Sequence, residues 1–318
     1  MPDFSIIVAH RPHEAPVLTP QLLDDLGWQD AELVHVAGNL PSYQRNRAAA
    51  AARGRYLYFL DDDSLPDPGN LDRLREIFAV RDDAAAAGGP SLTPAGDGVQ
   101  QHAFGHVLGS FWGSAWMRSR YHRSGNRRET DDRELILCNL AFRRDRFLES
   151  GGFDTTLYPN EENDLLDRLR DRGWVLIHDP DITVGRSQRP SFRAFCRQLF
   201  GYGRGRAEQL RRNFRPANLP LFVFLGFPLY LLALPLLLTL APWTAIPLGL
   251  HWGLDLLASL PLCCRRPTAF LLAVPAFFLC HLLYGAGMWR GLCGRFRSAV
   301  RVSVPEARVR IHPPRRRR

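Results

Sequence analysis

The sequence predicts an α/β domain with a mostly parallel sheet, followed by helices that are apolar enough to enter a membrane. In residues 1–215, short apolar runs alternate with helical stretches, a pattern typical of βαβ units. Residues 219–289 are instead almost continuously apolar. Three consecutive aspartates, residues 61–63, follow one of the predicted strands, and ligands bind at such strand ends in parallel sheets.

The elements of the first part follow from hydrophobic periodicity. Short apolar runs predict buried strands at residues 4–9, 32–37, 56–60, 84–90, 135–143 and 175–178. Helices are predicted at residues 18–26, 42–53, 68–80, 144–150 and 160–172. Ser42 is the expected N-cap of the second of these helices, and Gly54 is its stop. Residues 94–131, rich in Gly, Ser, Arg and Asp, predict a long loop of the kind that often forms a lid.

Four segments are expected along the chain. A catalytic domain takes residues 1–189, and residues 190–215 form a basic amphipathic helix suited to an anionic membrane surface. Packing of that helix on its own domain is the alternative. Residues 216–290 hold two or three membrane helices, and 291–318 form a basic tail.

The apolar block fits a hairpin of two spans over residues 219–262, with its turn at 242–244, and a third segment at 267–289. Three full crossings would place the arginine-rich tail outside, against the positive-inside rule. The third segment is therefore expected to be interfacial or re-entrant, unless the tail breaks the rule. His251 and Asp255 lie inside the hairpin, either as functional groups or as packing contacts.

The amino-acid composition limits the classes of partner that this chain is expected to bind. The formal net charge of +9 comes from arginine alone, which favours phosphate or anionic lipid partners, although a GC-rich genome would have the same effect. Nucleic acid is not expected, because the arginines cluster beside apolar segments and no recognition module is visible. Six cysteines without a CxxC pair argue against disulfides and a zinc site. The N-terminus lacks signal-peptide features, so the first domain is expected in the cytoplasm.

Two acidic motifs contain the residues that can bind a metal ion or transfer a proton. Carboxylates two residues apart after a strand, as in Asp61 and Asp63, can face one hard cation such as Mg²⁺ or Mn²⁺, although a solvated acidic turn is the alternative. Such a cation neutralises a departing diphosphate. The second motif, residues 160–164 (NEEND), opens a helix, where the macrodipole already favours acids. A carboxylate there can also accept a proton from an attacking hydroxyl.

These motifs together resemble the family 2 glycosyltransferases of the GT-A fold. SIIVAH resembles the family's first strand, and QRNRAAAAARGRYLYFLDDDSLP resembles the stretch that ends in its D-x-D motif. NLAFRRDRFLESGGFD, followed by NEENDLLDRLRDRG, resembles its acceptor-side signature. The order and approximate spacing of three motifs make the resemblance specific, and it covers about residues 1–215.

The resemblance implies roles for individual residues. Glu162 stands where the family has its catalytic base, usually an aspartate, and Glu161 is the alternative. Asp63 and Asp61 would hold the divalent metal. The residues expected to bind the nucleoside diphosphate sugar are Ala9, His10, Arg11, Arg45, Asp61, Asp62 and Arg189.

Two departures from the family pattern affect the nucleotide site. Ala9 and Pro12 replace a proline and an asparagine after the first strand, and residues 38–41 (GNLP) replace an acidic-Gly-Ser motif.

The expected function is inverting transfer of a sugar to a hydroxyl of a lipid-linked or cell-envelope glycan, at the cytoplasmic face of the inner membrane. A non-catalytic membrane scaffold with the same fold is the alternative. A phosphohydrolase is disfavoured, since no histidine-rich stretch lies near Asp61 in sequence.

Overall fold

The computed structural model describes residues 1–157, 159–294 and 307–315, which fall into two compact units. The first unit contains residues 1–94 and 119–186 together with the described residues 307–315. The second unit contains residues 95–118 and 187–294. The predicted fold class is confirmed: a large, mostly parallel sheet with helices is followed by three apolar helices.

The sheet of the first unit has eight strands in the order β11-β2-β1-β3-β8-β5-β9-β7. Five of them, β1, β2, β3, β5 and β9, run in one direction. A small second sheet has the order β4-β10-β6. The strands are β1 Phe4–His10, β2 Glu32–Ala37, β3 Tyr56–Asp61, β4 Leu65–Pro66, β5 Ala84–Gly88, β6 Ser91–Leu92, β7 Arg128–Thr130, β8 Asn139–Arg143, β9 Val175–His178, β10 Val184–Gly185 and β11 Arg308–His312.

The helices connect these strands in the first unit and make up most of the second. They are α1 Pro20–Asp25, α2 Pro41–Ala51, α3 Asn70–Val80, α4 Val99–Gly109, α5 Phe111–Ser114, α6 Arg144–Glu149, α7 Glu161–Asp171, α8 Phe192–Arg212, α9 Val223–Leu240, α10 Ile246–Ser259 and α11 Pro267–Cys293. Short 3₁₀ turns cover Ala115–Arg120, Pro216–Phe222, Pro242–Ala245 and Leu260–Leu262.

Both faces of the large sheet are buried, as its apolar strands predict. Alternate side chains of β3 serve opposite faces: Tyr56, Tyr58 and Leu60 join one core cluster, and Leu57 and Phe59 join the other. The period of two along a strand produces this division. The two cores hold β3 rigidly, and therefore fix the place where the acidic run leaves the sheet.

Three local predictions were wrong. The expected loop 94–131 contains α4, α5 and β7, because its apolar residues, such as Phe104 and Val107, are fully buried. The strand expected at 135–143 begins only at Asn139. Helix α2 begins at Pro41, with Leu40 rather than Ser42 in the N-cap position.

The second unit is built around a close contact between α8 and α11. A Cβ at Gly203 would lie 2.0 Å from the carbonyl oxygen of Tyr284, and one at Gly287 would lie 2.2 Å from that of Phe200. Only glycine permits these approaches. Among the described residues, three stretches are long and apolar enough to cross a membrane: Asn218–Leu240, Pro242–Leu262 and Pro267–Cys293.

The end of the chain returns to the first unit. Strand β11 pairs antiparallel with β2, with Val309 opposite Val36 and Ile311 opposite Val34. Of the predicted basic tail, residues 295–306 and 316–318 lie outside the described residues. The described part therefore contributes an edge strand to the large sheet.

Candidate active site

The acidic run begins where β3 ends. Asp61 is the last residue of β3 and lies opposite Ala9 in the register with β1. A turn follows, in which the Ser64 N–H donates to the Asp61 carbonyl at 3.1 Å. The carboxyl ends of β1 and β3 thus lie side by side, at the sheet edge where ligands bind in this class of fold.

One arginine contacts two of the three aspartates. Arg186 donates through Nε to Asp63 Oδ1 at 2.6 Å, and its Nη2 lies 3.1 Å from Asp61 Oδ2. It follows β10, which pairs with β4 so that Gly185 lies opposite Leu65. Both carboxylates therefore converge on one positive charge, and oxygen donors that share a cation in this way fit a hard divalent ion.

A buried hydrogen-bond network fixes the segment that leads to Arg186. The Asn70 side chain donates to the Thr183 carbonyl at 2.8 Å and accepts from the Thr183 N–H at 3.0 Å. The same amide nitrogen lies 3.0 Å from the Tyr58 hydroxyl of β3. Helix α3 thus ties β3 to the start of β10, which positions the arginine beside the aspartates.

A second arginine joins the two acidic motifs. Arg45 of α2 donates through Nη2 to Asp61 Oδ1 at 2.8 Å and through Nη1 to Glu161 Oε1 at 3.2 Å. Residues 61 and 161 are thus held on one guanidinium, although a hundred residues separate them in sequence. The fork geometry of arginine suits two carboxylates that approach from different elements.

The two glutamates at the start of α7 differ in environment. Glu161 is only 2% exposed and is held by Arg45. The Glu162 side chain is 13% exposed, and its Oε1 lies 3.9 Å from Nη1 of Arg120. Asn160 precedes them with φ 103°, a left-handed conformation that asparagine tolerates better than most residues.

Burial and mutual repulsion dominate the electrostatics of the site. Burial, followed by repulsion from Glu162, raises the pKa of Glu161 to about 7, although Arg45 acts in the opposite direction. Burial and the neighbouring Asp63 and Asp61 raise the pKa of Asp62. Burial alone would lower the pKa of Arg186, but Asp61 and Asp63 hold it well above its ordinary value.

The remaining predicted residues occupy two different places. The His10 ring nitrogen Nδ1 lies 2.9 Å from the carbonyls of Arg11 and Glu14, so it closes the loop that follows β1. Arg11 is exposed and paired with Glu14 at 3.2 Å. Arg189 belongs to the second unit, where its Nε donates to Gln198 Oε1 at 3.3 Å.

Sequence reasoning missed Arg186 and Arg120. Nothing in the local pattern marks Arg186, because the antiparallel pairing of β10 with β4 brings it beside the aspartates. Arg120 lies in the region predicted to be a loop. It is held by the Arg133 carbonyl at 2.9 Å and by Asn163 Oδ1 at 2.5 Å, and its position depends on long-range packing alone.

Comparisons with known proteins identify the family of this chain. A family model described as glycosyl transferase family group 2 matches residues 56–289, more than half of the chain. The succinoglycan biosynthesis protein ExoA of Rhizobium meliloti is 29% identical over 266 residues, which is 80% of this chain and 75% of that protein.

Two further similarities are more limited. A glucosyl-dolichyl phosphate glucuronosyltransferase of Haloferax volcanii is 28% identical over 134 residues, so the match spans 42% of this chain and only 41% of that relative. The solved structure of a mannosyltransferase from Pyrobaculum calidifontis, in complex with GDP-Man and Mn²⁺, has a TM-score of 0.55 at 16% identity. It covers 92% of this chain and 87% of that structure, and it supports the fold alone.

Proposed function

This chain belongs to the family 2 glycosyltransferases, and on that premise we propose that it transfers a sugar, with inversion, from a nucleoside diphosphate sugar to an acceptor hydroxyl. The observation that carries the proposal is the Arg45 bridge, which holds Asp61 and Glu161 on one side chain. A carboxylate pair for a cation and a second acid for proton transfer are the groups that such a displacement requires. The family assignment and this shared site favour an enzyme over a non-catalytic scaffold.

We propose that Asp61 and Asp63 hold a divalent ion, Mg²⁺ or Mn²⁺. The two carboxylates already share the Arg186 guanidinium, and the neighbour of known structure was solved with GDP-Man and Mn²⁺. When bound, such an ion neutralises negative charge on a departing diphosphate. Arg186 and Arg45 add fixed positive charges beside the same carboxylates, so they stabilise the same developing charge electrostatically.

Glu162 is the proposed catalytic base. A base must reach the acceptor hydroxyl, and Glu162 is the more exposed and the more loosely paired of the two glutamates. Glu161 is buried and occupied by Arg45, so its proposed role is to orient that arginine. Attack of the hydroxyl oxygen on the anomeric carbon forms one C–O bond and breaks the bond to the diphosphate, while Glu162 takes the proton.

The nucleotide part of the donor is proposed to contact the carboxyl end of β1 and the acidic turn. Ala9 lies beside Asp61 in the sheet register, and His10 and Arg11 follow directly. Asp62 completes this edge. Arg189 is proposed to help hold the diphosphate, as the family resemblance implies.

The strand pairing constrains how the apolar helices cross a membrane. Both ends of the segment between β10 and β11 connect to strands of the first unit, which must lie on a single side of the bilayer. The number of full crossings between them is therefore even. The sequence of residues 295–306 contains three arginines and a glutamate, whereas a spanning helix needs roughly 20 predominantly apolar residues.

Two crossings, by α9 and α10, fit this constraint best. Only 6% and 11% of their apolar windows are buried inside the protein, whereas 39% of the α11 window is buried. We propose that the α9–α10 hairpin spans the inner membrane, that α11 does not cross, and that the catalytic unit faces the cytoplasm. A lipid-linked or cell-envelope glycan is the proposed acceptor, since the relatives are named for dolichyl phosphate and succinoglycan chemistry.

The transfer reaction is tested with the full chain in purified membranes and a panel of radiolabelled nucleoside diphosphate sugars. Asp63→Ala and Glu162→Gln should abolish transfer, and Asp72→Ala, an exposed acid of α3, should not. NMR of the product should show an inverted anomeric configuration. Near wild-type transfer by both site variants, or retention of configuration, would overturn the proposal.

The topology is tested by thiol labelling of intact cells with a membrane-impermeant maleimide. The exposed Cys263, Cys264 and Cys293 should react only after permeabilisation, because they lie on the cytoplasmic side of the hairpin. A Thr244→Cys substitution, introduced after replacing the native cysteines by serine, should react without permeabilisation. Labelling of Cys263 and Cys264 in intact cells would contradict the assignment of α10 as the second crossing.

A further inference from the structure

The second unit contains a buried cluster of one carboxylate and two imidazoles, here called the His–Asp–His cluster: His251, Asp255 and His281. His251 and Asp255 are four residues apart on α10 and therefore share one face of it, and His281 comes from α11. Asp255 is 0% exposed. One potential ligand atom from each residue lies within 4.8 Å of the other two.

Trp112 of α5 hydrogen-bonds to one atom of Asp255 and to one atom of His281. Its indole N–H donates to Asp255 Oδ1 at 2.7 Å, and its carbonyl oxygen lies 2.8 Å from His281 Nε2. A carbonyl only accepts, so Nε2 of His281 carries the proton and its Nδ1 presents a lone pair. The atoms that remain for the interior of the cluster are Asp255 Oδ2 and His281 Nδ1.

His251 stands between these two acceptors. Its Nδ1 lies 3.1 Å from Asp255 Oδ2, and its Nε2 lies 2.9 Å from His281 Nδ1. A neutral imidazole has one N–H, so it can donate to only one of them. If it donates to His281, its Nδ1 faces Asp255 Oδ2 with a lone pair on each atom. Both of those atoms are buried without a hydrogen-bond partner, which agrees with this assignment.

Among the residues that the structure describes, the cluster therefore lacks one positive charge. A buried carboxylate that is compensated only by neutral donors is unfavourable in an apolar surrounding. A shared proton would need a well-aligned hydrogen bond between His251 and Asp255, and none is formed at their 3.1 Å approach. A cation that accepts lone pairs from both atoms satisfies the geometry as it stands.

We propose that His251, Asp255 and His281 bind one divalent transition-metal ion of the zinc class. Two imidazole nitrogens and one carboxylate oxygen form a ligand set that zinc uses, with a fourth position open. Tetrahedral bonds of roughly 2.0–2.1 Å place neighbouring ligand atoms about 3.3 Å apart, close to the 3.1 Å between His251 Nδ1 and Asp255 Oδ2. One ligand atom of His281 lies within 4.8 Å of those of the other two residues. A change in the orientation of the His281 ring, which gives up its bond to His251 Nε2, brings in the third ligand.

Trp112 completes the arrangement from outside. Ligating histidines commonly donate their other ring N–H to a backbone carbonyl, and ligating carboxylates are hydrogen-bonded in turn. Trp112 supplies both partners through its carbonyl and its indole N–H. The ion links α10 to α11 and, through Trp112, to α5, so it stabilises the second unit. This role is independent of the proposed transfer reaction.

The test measures bound metal in the full chain, purified in detergent without added metal. Elemental analysis should find one equivalent of zinc, which Co²⁺ can replace with the visible absorption of a tetrahedral site. The ion should persist in an Asp61→Asn/Asp63→Asn variant, which removes the proposed catalytic metal site, and in His102→Gln, an exposed histidine of the same unit. Asp255→Asn, His251→Gln and His281→Gln should each lower the bound zinc at least tenfold.

A second measurement uses the wild-type chain and needs no variant to fold. Chelation should lower the thermal unfolding midpoint of the wild-type chain, and added Zn²⁺ should restore it, because binding to the folded state adds to stability. In the Asp61→Asn/Asp63→Asn background, which lacks the proposed catalytic metal site, Asp255→Asn should show neither effect. Absence of stoichiometric metal from the wild type, together with a midpoint insensitive to chelation and to Zn²⁺, would overturn the proposal and leave a proton as the missing charge.

Discussion

The two charged clusters of the molecule neutralise their carboxylates in different ways. In the first unit, Arg45 and Arg186 contact three carboxylates with guanidinium groups that stay charged at any working pH. In the second unit, the described groups that contact the Asp255 carboxylate are the Trp112 indole and the His251 imidazole. The first cluster is balanced locally by these guanidinium groups. Within the described part of the chain, the second cluster has no such balancing charge, and the proposed ion supplies it.

The largest expected effect distinguishes the proposed catalytic base, Glu162, from Glu161, whose proposed role is to orient Arg45. Glu162→Gln should lower kcat by roughly 10²–10⁴-fold, the usual contribution of a general base. Glu161→Gln should lower it less, because Glu161 acts through Arg45. Initial rates of sugar transfer, with unfolding curves to show that both variants fold, make the measurement. A greater loss for Glu161→Gln would reverse the two roles.

The next effect tests how strongly the first cluster depends on its arginines. Arg45→Met leaves Glu161 buried without its ion-pair partner and should destabilise the first unit by about 3 kcal/mol at pH 8. Arg45→Met combined with Glu161→Gln should recover most of that loss, because the charge disappears with its partner. Urea unfolding measures both. If the double variant is no more stable than the single one, the bridge does not act as an ion pair.

A third prediction tests whether Arg186 and a divalent ion compete for the carboxylates of Asp61 and Asp63. Arg186 occupies the position between Asp61 and Asp63 that a divalent ion would share. Arg186→Gln should therefore tighten Mn²⁺ binding at the first cluster by about tenfold, or roughly 1.4 kcal/mol. Electron paramagnetic resonance of free Mn²⁺ measures the affinity, and Arg73→Gln, on an exposed ion pair, is the control. Unchanged affinity would mean that guanidinium and metal do not compete.

A smaller effect concerns the backbone conformation of Asn160, which directly precedes Glu161 and Glu162. Asn160 has φ 103°, so Asn160→Ala should destabilise the first unit by about 1 kcal/mol through backbone strain. Asn160→Gly loses the same side chain without that strain and should be the more stable of the two. Chemical denaturation of both variants provides the comparison. Equal stability would remove strain as the reason for asparagine at this position.

The last effect is a dependence of stability on pH at Glu161 of the first cluster. Burial raises the pKa of Glu161 to about 7, above its ordinary value near 4.5, so the folded state binds the proton more tightly than the unfolded state. The stability contribution is therefore full below about pH 4.5 and is lost as pH rises towards 7. The difference in unfolding free energy between wild type and Glu161→Gln, measured from pH 5 to pH 8, should change in that direction. A flat difference would contradict it.

Much of the first unit could be predicted from local pattern. The runs that became β1, β2, β3 and β9 are short, apolar and bounded by turn residues, so their burial in a sheet follows from composition. The region 94–131 could not be predicted, because its glycines and charges resemble a loop while its buried Phe104 and Val107 serve a core built from distant helices. Local propensity was overridden there by tertiary packing.

The sequence alone determined the chemical types and their order: an acidic run after a strand, an acidic pair at a helix start, and apolar helices that carry Asp255. It did so because strand ends and helix starts are encoded within a few residues. Only the tertiary structure decided which charges meet. Arg45 and Arg186 reach Asp61 from other elements, and β11 returns to β2, through pairings between distant residues that no local pattern specifies.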